Sequence, residues 1–203
     1  MRYIIIKRIF DIFFGIVGIL FLVPFCIILK IVYVCMGDMG KIIYRQIRIG
    51  KDGREINIFK FRSMVTDAEQ QLEELLKDGK YKEEWQKKQK IEDDPRITTV
   101  GKYLRLTSLD ELPQVINVLK GEMSVVGPRP LVAGELEAHG GESIYWKVKP
   151  GITGWWACHG RSNLNYNERL EMEYYYIRNR SIKLDFICIF MTIGAVVGQK
   201  GAK

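Results

Sequence analysis

The sequence predicts a mainly helical α+β protein, and three observations support that fold class. An apolar segment occupies residues 4–36, alternating apolar and polar residues follow at 41–64, and most of the remaining chain has the composition of helices. The 203 residues suffice for one compact domain beside a membrane segment but are too few for two full domains of ordinary size. We therefore expect an anchor at residues 1–36 and a single body at 37–203.

The charge and cysteine content narrow the classes of partner. The net charge is +7, from 31 Lys and Arg against 24 Asp and Glu, and such an excess suits anionic lipid headgroups, phosphate-bearing substrates or nucleic acid. Nucleic acid is the weakest of the three, because the basic residues are dispersed and an apolar anchor would be unexplained. The four cysteines lack C-x-x-C spacing, which predicts neither a zinc site nor a disulfide framework and favours a reducing cytosolic setting.

The apolar anchor has two equally good interpretations. Residues 12–29 are apolar or Gly apart from Pro24, and this length reaches the lower limit for crossing a bilayer. Pro24 removes a backbone donor and predicts a kink or a reversal. Positive charge flanks both ends, so the bias that orients a spanning helix is nearly balanced. Composition thus allows a re-entrant hairpin with both ends on the cytoplasmic side or a kinked transmembrane helix, whereas a removed signal peptide is disfavoured by the length of the segment.

The segment after the anchor predicts a β-hairpin and then helices. Residues 42–45 and 56–61 have strand-like patterns on either side of a turn at residues 51–53. Residues 67–90 are rich in Glu, Gln, Lys and Leu, which predicts one or two solvent-facing helices. A short basic helix at 100–106 and a further helix at 108–120, ended by Gly121, complete this half.

The second half predicts a loop and two more helices. Residues 149–156 form a loop whose paired indoles either settle at a bilayer interface or pack into the core. A tyrosine-rich helix is expected at 168–180. The apolar stretch 184–197 is too short and too interrupted to span a bilayer, so we expect an interfacial or core helix there.

Two adjacent carboxylates, Asp110 and Glu111, are the best candidate for a reaction centre. One interpretation is structural, because Ser108 and Glu111 have the spacing of a capping box. That spacing does not account for Asp110, which would lie in a first helical turn, where the macrodipole keeps a carboxylate ionised and free amides can hold an anion. An ionised aspartate can attack phosphorus. Mg²⁺ held by one or both carboxylates, together with arginines, would neutralise the approaching phosphates.

Several basic residues are candidates for phosphate binding. Arg96, Arg105 and Arg129 lie near the carboxylate pair in sequence, and guanidinium groups suit phosphate oxygens. A surface salt bridge is the commoner role for each alone, but prolines on both sides of Arg129 fix its backbone for some other purpose. Lys60 and Arg62 form a further basic pair.

Cys158 and His159 suggest a nucleophile with its base. Adjacent side chains seldom point at each other, and no third group is apparent to orient them, so we do not expect catalysis from this pair. His139, next to two glycines, is interpreted as a loop histidine rather than a metal ligand.

Six motifs in order resemble those of the bacterial sugar transferases, the monotopic phosphoglycosyl transferases that begin glycan assembly on a polyprenyl phosphate. The resemblance covers nearly the whole chain and leaves no room for the extra transmembrane bundle of larger members, so we expect the minimal catalytic form. The motifs are Lys7-Arg8 with Asp11, Phe59-Lys60-Phe61-Arg62-Ser63-Met64, Asp94-Pro95-Arg96-Ile97-Thr98, Ser108-Leu109-Asp110-Glu111-Leu112-Pro113-Gln114, Gly127-Pro128-Arg129-Pro130 and Lys149-Pro150-Gly151-Ile152-Thr153-Gly154-Trp155.

The resemblance implies a two-step reaction. Asp110 would attack the β-phosphorus of a UDP-sugar, release UMP and carry the phosphosugar until polyprenyl phosphate accepts it. Glu111 would help to position Mg²⁺ or accept the proton of the lipid phosphate. The expected substrate-binding residues are Lys60, Arg62, Arg96, Arg105 and Arg129, with Asp185 near the site.

The resemblance also implies a location and partners. The anchor of the family is a re-entrant helix, which favours the hairpin interpretation and puts the catalytic domain on the cytoplasmic face of the bacterial inner membrane. The family commonly has serine before the helix-breaking proline, whereas Val23 precedes Pro24 here and cannot satisfy freed backbone carbonyls. The expected partners are a UDP-sugar, polyprenyl phosphate and anionic membrane lipids, and we consider a homodimer and downstream glycosyltransferases as further ones.

The sequence leaves two groups of sugars open as the one transferred. Residues 160–163 and 174–177 resemble members that transfer galactose or glucose phosphate more than those that use N-acetylated or diacetamido sugars. The product would initiate a glycan of the exopolysaccharide, capsule or O-antigen type. A different class of function, a non-catalytic membrane-anchored scaffold, would leave every activity intact in Asp110→Asn.

Overall fold

A computed structural model describes residues 2–88, 91, 93–159 and 165–197. Helix α1, Arg2–Cys35, is long and apolar enough to cross a membrane by length and composition. The helix continues through Pro24, so the reversal considered at this residue is wrong for the backbone.

One face of α1 packs on the body of the protein, and the other is exposed and apolar. The buried positions recur at helical spacing from Phe10 to Tyr33. A Cβ on Gly15 or Gly18 would come within 2.6 Å of a side-chain atom of Leu119 or Val115, so both glycines permit a close approach. The exposed side carries large apolar residues along its whole length, including Ile5, Ile9, Phe13, Ile16, Leu20, Val23, Ile27 and Ile31.

Both ends of α1 are bound to the same body. At the amino-terminal end, Lys7 Nζ lies 3.0 Å from a carboxylate oxygen of Asp185, and Arg8 donates to the carbonyls of Val118 and Leu119. At the other end, the Tyr33 hydroxyl donates to a backbone carbonyl of the body, that of Arg62. The helix therefore lies along the body instead of projecting from it.

The predicted β-hairpin is confirmed. Strand β1, Ile43–Ile49, pairs with antiparallel β2, Glu55–Phe61, across a tight turn at Lys51–Gly53. Tyr44 is opposite Lys60, and Arg48 is opposite Ile56. Because side chains alternate between the faces of a strand, these four residues share one face of the hairpin.

The helices of the central segment are α2, Ala68–Leu75, α3, Gly79–Lys88, and α4, Thr99–Leu106, as predicted. The predicted helix at 108–120 instead consists of a 3-10 helix, Leu109–Gln114, followed by α5, Val115–Lys120. Gly121 ends α5 with a φ of 83°, a conformation that glycine adopts without strain.

The second half contains two short parallel strands that the sequence did not predict, β3, Ser124–Val126, and β4, Gly151–Thr153. The helices are α6, Glu135–Ala138, a 3-10 helix at Ser143–Lys147, α7, Trp155–Cys158, α8, Tyr166–Asn179, and α9, Ile182–Val197. Trp155 packs against the main hydrophobic core, which favours the core interpretation of this indole over the interfacial one. Residues 160–163, on which the choice of sugar partly rested, lie outside the described residues.

Candidate active site

The carboxylate pair lies in the 3-10 helix and not at the start of an α-helix. Ser108 enters this element with a φ of 57°, and its side chain makes no capping hydrogen bond within the described part of the chain. The Glu111 carboxylate instead accepts a hydrogen bond from Lys60 Nζ at 2.8 Å. The predicted capping box is therefore wrong, and both carboxylates are left for another purpose.

Asp110 occupies a setting that disfavours its charge. Burial, and to a smaller extent the neighbouring charge of Glu111, raise the pKa of its carboxyl to about 6 against the opposing effects of Lys60 and Arg105. Because Asp110 lies in the 3-10 helix, the macrodipole of an α-helix that was expected to favour its ionised form does not set its charge. At pH 7 the carboxylate is still mostly ionised, but it is less stabilised than a solvated aspartate.

Arg105 is the predicted arginine that lies next to Asp110. Its Nε donates to Ser63 Oγ at 2.9 Å, and the charges of Asp110 and Asp94 favour its protonated form against the effect of burial. Helix α4, which carries Arg105, packs closely on the chain after β2, because a Cβ on Gly101 would lie 1.9 Å from the Ser63 carbonyl oxygen. A cation is therefore fixed beside the candidate nucleophile.

Arg62 and Arg96 are bound to acidic partners of their own. Arg62 Nη2 lies 2.7 Å from Asp38, and its other nitrogens donate to backbone carbonyls. Arg96 is buried and makes a bidentate pair with Asp94, with nitrogen–oxygen distances of 2.6 and 2.8 Å. These contacts connect the hairpin, the loop before α4 and the end of α1, which is a structural role.

Arg129 belongs to a group that we call the arginine cluster, Arg48, Arg129 and Arg169, arranged around Glu135. Arg129 Nη1 donates to Glu135 Oε1 at 2.9 Å, and Arg169 Nη2 lies 3.4 Å from the same oxygen. Arg48 Nη1 is 3.8 Å from Glu135 Oε2. The sequence analysis missed Arg48, Arg169 and Glu135, although the shared hairpin face of Arg48 and Lys60 was a signal that could have found the first.

A buried glutamate supports the backbone of Arg129. Glu173 Oε1 accepts from the Arg129 amide at 2.9 Å, and the Tyr145 hydroxyl donates to the Arg129 carbonyl. Burial raises the pKa of Glu173 to about 8, so the carboxyl is mostly protonated at neutral pH. Sequence reasoning had no signal for this residue, which lies in the interior of α8.

Asp185 is not brought to the carboxylate pair. It is fully buried on α9, 3.0 Å from Lys7 and 2.7 Å from the Tyr176 hydroxyl. Asp185 therefore holds the amino-terminal end of α1 to α9.

Cys158 and His159 do face each other, contrary to expectation. The Cys158 Sγ lies 3.4 Å from His159 Nδ1, and the pKa of Cys158 is lowered to about 7, first by a hydrogen bond with Cys188. His139 stacks on the ring of Tyr166, with 3.6 Å between ring centroids.

The donor set near Asp110 fits a substrate-completed Mg²⁺ site. Among the described residues, no group of three or more His, Cys, Asp or Glu side chains could hold a metal ion by itself. Magnesium, however, is commonly held by one or two carboxylates together with substrate phosphates and water. Asp110 and Glu111 provide the two carboxylates.

A cavity of about 820 Å³ lies at the carboxyl-terminal end of α1, beside the hairpin. It is mostly apolar, but cations from the helix, the following loop and β1 reach it. We call it the lysine cavity; its lining residues are Lys30, Gly40, Lys41, Ile42, Ile43, Tyr44, Arg45, Phe59 and Ile116.

Comparisons of the sequence with known proteins found a family and several relatives. A family model described as "Bacterial sugar transferase" matches residues 2–199. The chain is 42% identical over 199 residues to the "UDP-galactose-lipid carrier transferase" of Erwinia amylovora and to the "Undecaprenyl-phosphate galactose phosphotransferase" of Salmonella typhimurium. The aligned region covers 97% of this chain but only 41% of each of these two relatives. The "Exopolysaccharide production protein ExoY" of Sinorhizobium fredii is 40% identical, over 97% of this chain and 87% of the relative.

Proposed function

The chain belongs to the bacterial sugar transferase family, and on that premise we propose that it transfers a sugar-1-phosphate from a UDP-sugar to a polyprenyl phosphate. The transfer would initiate a polysaccharide. Galactose is the sugar we propose, because two of the relatives reported above carry galactose in their names. Glucose and N-acetylated sugars are the alternatives that a donor panel separates.

The observation that carries the proposal is the setting of Asp110. Its carboxylate is poorly solvated, since burial raises its pKa to about 6, and such a group is more reactive as a nucleophile than a solvated one. Lys60 and Arg105 lie close enough to Asp110 to lower its pKa, and their positive charges can offset the negative charge of an approaching diphosphate. A carboxylate that only capped a helix would need neither feature.

The reaction follows from this setting in two displacements. An oxygen of Asp110 forms a bond to the β-phosphorus of the donor, and the bond from that phosphorus to the bridging oxygen breaks, so that UMP leaves. An oxygen of the lipid phosphate then bonds to the same phosphorus and the bond to Asp110 breaks, which regenerates the carboxylate. Glu111 is positioned by Lys60 beside the nucleophile, where it could take up the proton of the lipid phosphate. Mg²⁺, held by Glu111 or Asp110, would supply further neutralisation of the diphosphate.

The lining of the lysine cavity supports its assignment as the place where the acceptor binds. An apolar wall with Lys41, Arg45 and Lys30 suits a phosphate that is attached to a hydrocarbon chain. Because the cavity borders α1, a lipid could reach it from the bilayer.

The membrane arrangement we propose keeps both ends of α1 on the same side of the bilayer without a reversal at Pro24. The two ends of α1 bind the same polar body, so they cannot lie on opposite sides of a bilayer while the body stays outside it. The exposed apolar face of α1, with Phe190 and Ile193 of α9, would enter one leaflet from the cytoplasmic face of the inner membrane.

The test is a donor-only reaction. Purified protein in nanodiscs is mixed with Mg²⁺ and a panel of UDP-sugars in the absence of lipid acceptor, and UMP and peptide masses are measured. We expect one UMP per active site and a hexose-phosphate adduct on the peptide that contains Asp110. Asp110→Asn should give neither, whereas Asp52→Asn, the same change at the exposed hairpin turn, should match the wild type. Full UMP release by Asp110→Asn would remove Asp110 as the nucleophile, and no UMP release by the wild type with any donor, with or without polyprenyl phosphate, would leave the scaffold function in its place.

A further inference from the structure

We propose that the arginine cluster binds the diphosphate of the nucleotide donor, with Glu135 as an internal counter-ion whose place the diphosphate partly takes. This inference rests on the proposed function but concerns residues that it does not use. It assigns Arg48 and Arg169 to donor binding beside Arg129, and it gives Glu135 the role of positioning all three guanidinium groups.

The cluster has an excess of positive charge. Three guanidinium groups surround the single carboxylate Glu135, and the other acidic residue in contact, Glu173, is mostly neutral at pH 7. Burial and the charge of Arg129 lower the pKa of Arg48 to about 10, which still leaves Arg48 protonated. The charges of the three arginines and Glu135 sum to +2, which matches the two negative charges of a sugar nucleotide.

The cluster also has unused hydrogen-bond donors. Each guanidinium carries five N–H groups, and within the residues that the structure describes, the contacts with Glu135 and Gln46 occupy a minority of them. Arg48 Nε is buried and has no hydrogen-bond partner within the described ranges, although buried donors are normally paired. The Arg48 to Glu135 distance of 3.8 Å is an ion-pair distance and too long for a hydrogen bond. A phosphate group would supply the missing acceptors.

The position of the cluster suits the donor. Tyr44 is the cross-strand partner of Lys60, and Arg48 lies four residues farther along β1 on the same face of the hairpin. The backbones of Tyr44 and Arg48 are therefore roughly 13 Å apart along the strand. Long arginine side chains shorten that distance, and Arg48 is near enough to Glu111 for the two charges to interact. A diphosphate held between Lys60 and Arg48 would therefore span from the nucleophile to the cluster.

The cluster lies at the end of the hairpin opposite to the membrane helix. The strand ends at Ile43 and Phe61 pack with Leu29 and Tyr33 of α1, and Arg48 is five residues farther along β1. A water-soluble nucleotide can reach this end, whereas a lipid acceptor meets the other end first. This placement favours the donor over the acceptor as the occupant.

The experiment measures equilibrium binding of UDP, UMP and uridine to the purified protein in nanodiscs by calorimetry. Arg48→Gln and Arg169→Gln are compared with the wild type, and Arg178→Gln is the matched control, since Arg178 is an exposed arginine paired with Glu142. We expect UDP to bind roughly tenfold or more weakly to both cluster variants, the usual effect of losing a charge-assisted hydrogen bond. Uridine binding should not change in any variant, and Arg178→Gln should bind UDP like the wild type.

Two results would overturn the proposal. One is unchanged UDP affinity in a cluster variant that melts like the wild type; Arg169→Gln decides the matter if Arg48→Gln fails to fold. The other is an unchanged UDP affinity of the cluster variants together with a raised KM for polyprenyl phosphate, which would mean that the cluster binds the acceptor. The proposed function is tested separately, because UDP binding does not require transfer. If the wild type releases UMP and the cluster variants bind UDP like the wild type, this inference alone is refuted.

Discussion

Two cationic regions share the hairpin, and they differ in the chemistry that surrounds their charges. In the lysine cavity, Lys30, Lys41 and Arg45 stand among apolar side chains beside the membrane helix. In the arginine cluster, three guanidinium groups converge on Glu135 in a polar setting. A flexible ammonium acts as a point charge, whereas planar guanidinium groups bind several oxygens in fixed directions. The difference teaches how one small body can hold two phosphate substrates, one attached to a lipid and one to a nucleotide.

The hairpin is the element that separates the two regions. Arg45 and Arg48 are three residues apart on β1, so their side chains leave opposite faces of the strand. Lys60, on the face of Arg48, donates to Glu111. The comparison can therefore be tested by variants that change one region, with the KM measured for both substrates.

The largest effect is expected from Arg129→Gln in the arginine cluster. Losing the charge that faces Glu135 should raise the KM for the UDP-sugar by about ten- to a hundredfold, because a charge-assisted contact is lost. The KM for polyprenyl phosphate should stay within experimental error. Steady-state kinetics with each substrate varied in turn makes the measurement, and a rise in both constants would break the comparison.

A smaller effect is expected in the lysine cavity. Lys41→Gln and Arg45→Gln should each raise the KM for polyprenyl phosphate about fivefold, the effect of roughly 1 kcal/mol per charge at a membrane surface. The KM for the UDP-sugar should not change. The same kinetic series at two salt concentrations serves as a control, because a charge effect weakens with added salt.

The pH dependence of Lys60→Gln should show that Lys60 acts on the nucleophile Asp110. The wild-type rate of UMP release should fall as the pH drops through about 6, because the protonated Asp110 carboxyl is no longer a nucleophile. Lys60 lowers the pKa of Asp110, so its removal should move the midpoint to higher pH. A pH series of single-turnover rates makes the measurement, and a midpoint that moves down instead would contradict the assignment.

The smallest effect on turnover is expected from Glu173→Gln. The folded protein keeps the Glu173 proton up to a pH of about 8, whereas the unfolded chain releases it near the ordinary pKa of 4.5. The stability from the buried neutral carboxyl is therefore complete below pH 4.5 and is lost as the pH rises to about 8. Glutamine is always neutral, so the variant should melt at a higher temperature than the wild type at pH 8.

The difference in Tm should shrink toward pH 5, and the KM for polyprenyl phosphate should not respond at any pH. Thermal unfolding across the pH range is the measurement. A variant that is less stable than the wild type at pH 8 would mean that Glu173 is charged in the fold.

Much of the fold followed from local patterns. The hairpin, α2, α3, α4, α8 and α9 were predicted from alternation, composition and stop signals that act within a few residues. The parallel pair β3 and β4 was missed because strands of three residues, 25 residues apart, leave no periodicity. Composition left a continuous helix and a reversal at Pro24 open, and the helix continues because packing of one face on the body offsets the local cost of proline.

The candidate site followed the sequence only where its residues are neighbours in the chain. Asp110 and Glu111 were found as a pair, but the capping box failed because the backbone at Ser108 is left-handed. Arg62, Arg96 and Arg129 were predicted as phosphate ligands, and each has a carboxylate partner, a tertiary contact that the sequence motifs do not predict. Residues such as Glu135 and Glu173 gain their meaning from elements that the sequence keeps 30 or more positions apart.

The most direct test of the account separates the two half-reactions in a rapid-quench experiment. UMP release is followed with the UDP-sugar alone, and the loaded enzyme is then given polyprenyl phosphate. We predict that Arg45→Gln releases UMP at the wild-type rate and is slow only in discharge to the lipid, whereas Arg129→Gln at subsaturating donor is slow only in UMP release. A slow UMP release by Arg45→Gln without any lipid present would contradict the division of labour between the two regions.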